Sequence, residues 1–155
     1  MNQLLGSLEG LGYIARSDTP EEGRARIIPF AESIRPELGG KVTIIGAIGG
    51  SKLQVPKSTA FPVAFPLAFY ILLAEGFGEF DVRISVKGPN GKPLLEATPI
   101  GHLKQAEDQV LQLLLNLGMF SAPSVGRYRV DIFLDDKVYT EEFDVSLGTG
   151  YTVFA

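Results

Sequence analysis

The 155-residue sequence has no cysteine and no tryptophan, and its one histidine is His102. Without cysteine there are no disulfides, no thiolate metal sites and no cysteine nucleophile. A single imidazole is too little for an ordinary zinc site, which draws on sets of His and Cys. No cluster of Lys and Arg occurs and the net charge is −4, so the footprint of a nucleic-acid binder is missing. The longest apolar block, residues 60–74, is interrupted by Pro62 and Pro66. It falls short of the ~20 residues a spanning helix needs, and no membrane segment is expected. Residues 1–10 carry no basic stretch ahead of an apolar run. No secretory signal is expected there, and synthesis is expected in the cytoplasm.

What the chain does have is 45% hydrophobic residues, eighteen glycines and ten prolines. That is enough apolar material for a core, cut by frequent turns, and frequent turns favour short strands. Three regions follow. Residues 1–24 form an arm in which Leu4, Leu5, Leu8 and Leu11 have the spacing of a short helix. Residues 25–147 read as strands. Residues 148–155 form a tail carrying Tyr151 and Phe154.

Within the central region, Pro29 suits an edge strand or a bulge. Residues 42–48 follow a Gly39-Gly40 turn as a β-branched strand, and a proline-rich loop occupies 51–66. Residues 67–76 read as a strand buried on both faces. Phe80, Val82, Ile84 and Val86 alternate with Asp81, Arg83, Ser85 and Lys87, which predicts a strand with one dry face. Asn90-Gly91 marks a hairpin with a short return strand at 93–97. Residues 103–117 fit either a helix, with Leu103, Ala106, Val110, Leu114 and Leu117 on one face, or a buried strand. The all-β rhythm around them favours strand for 109–116, with a helical turn near 103–107.

Residues 126–147 alternate, turn at Asp135-Asp136 and alternate again. Tyr128, Val130, Ile132 and Leu134 share a face with one another, as do Tyr139, Phe143 and Val145 on the return. Most of the acids fall opposite them or at the turn, so they need no site to explain them. Seven to eight strands at this spacing predict an all-β, immunoglobulin-like β-sandwich. Tyr128, just after Gly126 at the start of the penultimate strand, stands where such folds place a corner tyrosine. The disulfide and core tryptophan of antibody domains are absent.

Candidate sites are few. His102 is expected in a solvated loop, without the Ser or Cys partner that nucleophilic catalysis needs. A hollow gathering His102 with two acids of the 131–144 hairpin would be needed to suggest an enzyme. Residues 46–52, GAIGGSK, lack the Gly-Lys-Ser/Thr order of a phosphate loop and meet Pro56 where a helix should begin. Asp131, Asp135, Asp136, Glu141, Glu142 and Asp144 lack the spacing of a calcium loop. Neither a catalytic residue, a metal site nor a cofactor is expected. Interface anchors are expected at Leu4, Leu8 and Leu11 of the arm, at Phe61 and Phe65 in a stiff proline-flanked loop, and at Tyr151 and Phe154 of the tail.

The order of "ARIIPFAESIRPELGG", "KVTIIGAIGG", "FPVAFPLAFYILLA", "VKGPNGKPLL" and "LLLNLGMFSAPSVGRYRVDIFLDDK" over residues 25–147 resembles DUF6941, a family of small bacterial and phage domains of unknown function. The resemblance implies a β-sandwich, supports strand at 109–116 and assigns no catalytic residue. A fainter likeness of residues 4–30 to the recognition helix and wing of MarR-type regulators is discounted. The upstream helices are absent, and the wing holds only Arg16, Arg24 and Arg26 as cations. The expected function is a non-enzymatic structural or interaction module that forms a homo-oligomer or joins a larger protein assembly. No nucleic-acid or membrane partner is expected. A phage or prophage virion accessory or decoration role fits, and rests on the family's distribution. The alternative is a ligand- or carbohydrate-binding β-sandwich module.

Overall fold

A computed structural model describes residues 25–73, 77–107 and 109–148. The expected helical arm, with Leu4, Leu8 and Leu11, and the tail anchors Tyr151 and Phe154 lie outside the described residues. The strands are β1 (Ala25–Ala31), β2 (Ser33–Pro36), β3 (Val42–Ile45), β4 (Lys52–Val55), β5 (Val63–Leu73), β6 (Gly78–Lys87), β7 (Pro93–Gln105), β8 (Leu111–Ala122), β9 (Gly126–Leu134) and β10 (Lys137–Leu147). The all-β fold expected from the sequence is present, with ten strands among the described residues instead of seven to eight.

Two sheets make the sandwich. One has the order β1-β5-β8 and the other β4-β10-β9-β6-β7, while β2 and β3 form a separate pair. Their inner faces share one core in which Phe30, Leu67, Phe69 and Ile71 meet Phe80, Val82, Ile84, Tyr128, Val130, Ile132 and Phe143. In immunoglobulin terms the first sheet is A-B-E and the second carries G-F-C-C′. The constant-type partner of A-B-E is a fourth strand, D, beyond E. Only residues 106–110 separate β7 from β8 here, so nothing between them fills that place.

The centre that a disulfide and a tryptophan hold in antibody domains is filled by rings. Tyr128 and Phe143 stack at 5.1 Å, and Phe120 meets both nearly edge-on at 5.9 and 6.1 Å. Phe30 and Phe65 reach Phe143 from the opposite sheet at 4.8 and 6.4 Å. Each such pair is worth about 0.5–1.5 kcal/mol beyond its buried area. The corner expected at Tyr128 is formed: its hydroxyl donates to Ser124 O at 2.6 Å.

A third layer explains why β5 reads as buried on both faces. The β2–β3 pair lies on the outer face of the three-stranded sheet, where Ile34 packs with Ala31, Ala68 and Tyr70 and with the partly buried Val42, Ile44, Leu72 and Leu114. Asn116 of β8 fastens it, accepting from Ile34 N at 3.1 Å and donating to Ile34 O at 3.2 Å. Gln112 of β8 donates to Gly40 O at 2.8 Å in the turn between them.

Several local expectations change. The return strand after Asn90-Gly91 runs on to Gln105, so residues 103–105 are strand and the turn follows at 106–107. Residues 109–116 are strand from Leu111 onward, as the rhythm around them predicted. The proline-rich stretch holds β4, which pairs in parallel with β10, and the start of β5. Pro29 sits at a break in the β1–β5 register, as an edge bulge should.

Candidate functional site

His102 lies in β7, not in a loop. It is opposite Asp81 of β6, on the outer face of the five-stranded sheet. Inward-facing Phe80 and Val82 hold β6 in place, which turns Glu79 and Asp81 outward. His102 Nδ1 is 2.8 Å from Asp81 Oδ1, and its Nε2 is 3.6 Å from Glu79 Oε2. A carboxylate only accepts, so Nδ1 carries a proton. Lys104, two residues on, holds Glu79 Oε1 at 2.9 Å. The hydrogen bond to Asp81, the largest influence, raises the His102 pKa above its ordinary value of 6.5; burial opposes it, and the charge of Asp81 and the nearby Glu79 add to the rise.

These groups border an open depression of about 500 Å³, whose walls also include Phe77 and Asp135 of the β9–β10 turn. Asp135 serves β6: its Oδ1 accepts from Asp81 N at 2.9 Å and its own N–H donates to Asp81 O at 2.9 Å. Thus one acid of the 131–144 hairpin, not two, joins His102. Both imidazole nitrogens lie beside carboxylates, with Nδ1 alone within hydrogen-bond distance of one. The arrangement is a charge clamp between two strands.

Three further acids of that hairpin, Asp131, Glu142 and Asp144, are paired along the strands. Asp131, 3% exposed, accepts from Arg129 Nε at 2.8 Å and Thr140 Oγ1 at 2.7 Å. It belongs to the outer face, as expected, yet it is buried there. Arg127 lies 3.1 Å from Asp144 and 3.6 Å from Glu142. Among the described residues no group of three or more His, Asp or Glu has the arrangement to hold a metal ion. Residues 49–51 of the glycine-rich stretch form a short 3-10 turn that runs straight into β4, so no helix stands there to receive a phosphate. No helix among the described residues is long and apolar enough to cross a membrane.

Phe61 is half-buried and packs against the core. Phe65 sits inside β5, edge-on to Phe120 at 5.7 Å. Phe65 is in a strand rather than a loop, because β5 begins at Val63, while Phe61 lies in the bend just before it.

The feature that sequence reading missed is an edge. On its far side from β5, β8 has no neighbour among the described residues. Exposed edges are normally blunted by shortness, charge, proline or bulges. The edge strand β1 carries Pro29 and a bulge, and β4 is four residues long and opens with Lys52. The edge strand β7 carries Pro93, Pro99, Glu96 and Lys104 and three breaks in register. Twelve residues long, β8 has neither charge nor proline, and its one irregularity falls at Leu117-Gly118. Residues 109–126 contain no charged side chain at all. Leu111, Leu113, Leu115 and Leu117 face the core yet stay only half-buried, for want of a strand beside them. The sequence signal was the uncharged run itself, which reads equally well as an interior strand.

No curated protein matches the chain. A family model does, over residues 26–143, which is most of the sandwich and includes β8 throughout. The chain belongs to that family of unknown function, DUF6941.

Proposed function

We propose that this protein is a non-enzymatic interaction module that self-associates, and that it does so by presenting the free edge of β8. The observation that carries this reading is the long strand without charge or proline at the open side of the A-B-E sheet. An unpaired row of backbone N–H and C=O groups flanked by leucines is a template for strand addition. The His102 clamp favours the non-enzymatic part, since the Nδ1 bond to Asp81 ties β7 to β6 and gives the imidazole a structural role. A module of this kind suits a place in a larger protein assembly, such as an accessory or decorating subunit of a virion. The outward acidic and basic pairs and the net charge of −4 favour a protein partner over nucleic acid. Phe61 and Phe65, half-buried against the core, leave little aromatic surface on which a sugar could stack, which weighs against the carbohydrate-binding alternative.

Light scattering on the purified protein tests the reading. The expected mass is a multiple of the monomer, and Gln112→Lys should lower it. Gln112 is half-buried on the outer side of β8, so the new charge reaches the edge without entering the core. A monomer at every concentration up to the solubility limit overturns the reading.

A further inference from the structure

The residues along the free edge of β8 are symmetric in kind about Leu114. From Leu111 the strand reads Leu, Gln, Leu, Leu, Leu, Asn, Leu. Counting outward from Leu114, Leu113 answers Leu115, Gln112 answers Asn116, and Leu111 answers Leu117. In a two-fold antiparallel pair, residue i of one strand meets residue j of the other, and j meets i. We infer that this edge takes a second copy of the chain, with β8 pairing antiparallel to β8 of the partner about an axis at Leu114.

In that register leucine meets leucine on the core side and amide meets amide on the outer side. Moving the centre one residue either way sets Leu114 against Asn116 or against Gln112 and loses the match. The strand is regular through this stretch, with Leu111 to Asn116 pairing in unbroken register with β5, so its other edge is straight over the same span. The irregularity at Leu117-Gly118 confines the pairing to the first half of β8. Gln112 and Asn116 are already held in place by Gly40 and Ile34, which fixes the outer face before a partner arrives. No charge lies on either strand, so two copies meet without repulsion at the seam. The product is a continuous six-stranded sheet, β1-β5-β8 joined to its two-fold copy. Leu113 and Leu115, half-buried in one chain, then lie beside their counterparts. The inference rests on the self-association reading above and names its geometry.

The absence of cysteine makes the test direct, because any introduced thiol is the only one. Leu114→Cys should give a disulfide-linked dimer on mild oxidation. Leu111→Cys alone should not, since its two copies would sit about 20 Å apart along the strands, far beyond disulfide reach. Leu113→Cys mixed with Leu115→Cys should give a mixed dimer, and this arm decides the matter if Leu114→Cys does not fold. Mass in solution separates the two levels of the claim. A dimer with no cross-link at Leu114 and none in the mixture overturns the β8 geometry and leaves self-association standing. A monomer overturns both. A monomer whose β8 amides resist hydrogen exchange means that another part of the same chain covers the edge, and the inference falls.

Discussion

Tyr128 shows how one side chain carries two duties. Its ring is fully buried and stacks on Phe143, while its hydroxyl closes the turn before β9 by donating to Ser124 O. The position was legible in the sequence from Gly126 and the alternation after it. The aromatic cluster that stands in for the missing disulfide was not, because nothing local says which aromatic rings from five strands meet. Tyr128→Phe keeps the ring and removes only the hydroxyl. It should cost about 1 kcal/mol, the net value of one such hydrogen bond, read as a lower urea midpoint with the same slope. An unchanged midpoint would show that the corner contributes nothing to stability. His102 was misplaced at this scale because Thr98-Pro99-Ile100-Gly101 reads as a loop, whereas β7 absorbs it through breaks in register. Its folded pKa is raised, chiefly by the hydrogen bond to Asp81. A raised pKa means that the pair's contribution is complete below the unfolded value, ordinarily about 6.5, and drains away as pH climbs through the folded one. The wild-type urea midpoint should therefore fall relative to His102→Gln as pH rises from about 6 to 9. Parallel curves for the two proteins would mean that the clamp does not form in solution. Glu141, whose pKa is raised by burial and then by Glu142, shifts stability in the same sense, starting from the ordinary carboxyl range below that window.

At the scale of elements, the long hairpin β9–β10 and the strand β6 were readable because one face of each is dry, and a two-residue period has little other explanation. The β2–β3 pair was only half readable. Its strands are short, and neither states that it leaves the sandwich to cover the outer face of β5. The hint was indirect: residues 67–76 read as buried on both faces, which requires a layer on each side. Asn116 is the fastener of that layer, since its amide satisfies both backbone groups of Ile34. Asn116→Ala should cost about 1–2 kcal/mol, with Ile34 left to find water for its N–H and C=O. Hydrogen exchange checks the locality of the effect. The Ile34 amide and its neighbours in β2 and β3 should exchange faster while amides of β6 and β9 keep their protection. Unchanged exchange at Ile34 would mean that the hairpin is held by its apolar contacts alone.

Among the described residues a three-stranded sheet faces a five-stranded one, and the imbalance leaves an open flank at β8. Ion pairs sit elsewhere, on the outer face of the five-stranded sheet. The flank was legible only as an uncharged run, because a sequence does not say whether such a run lies inside a sheet or at its border. Its character fixes how self-association should answer to salt. A seam with no ion pair has no Coulombic attraction to lose on screening. Each chain brings a net charge of −4, so two copies repel weakly at long range. Salt shortens that repulsion to a few ångströms at about 1 M and strengthens apolar burial when the anion is sulfate. The association constant should therefore hold steady or rise between low salt and about 0.5 M, where the Debye length is already well below the size of the domain. An interface made by the charged outer face would weaken over the same range, as its Arg–carboxylate contacts are screened. Sedimentation equilibrium at several salt concentrations separates the two, and dissociation that grows with salt would move the interface from β8 to the opposite sheet.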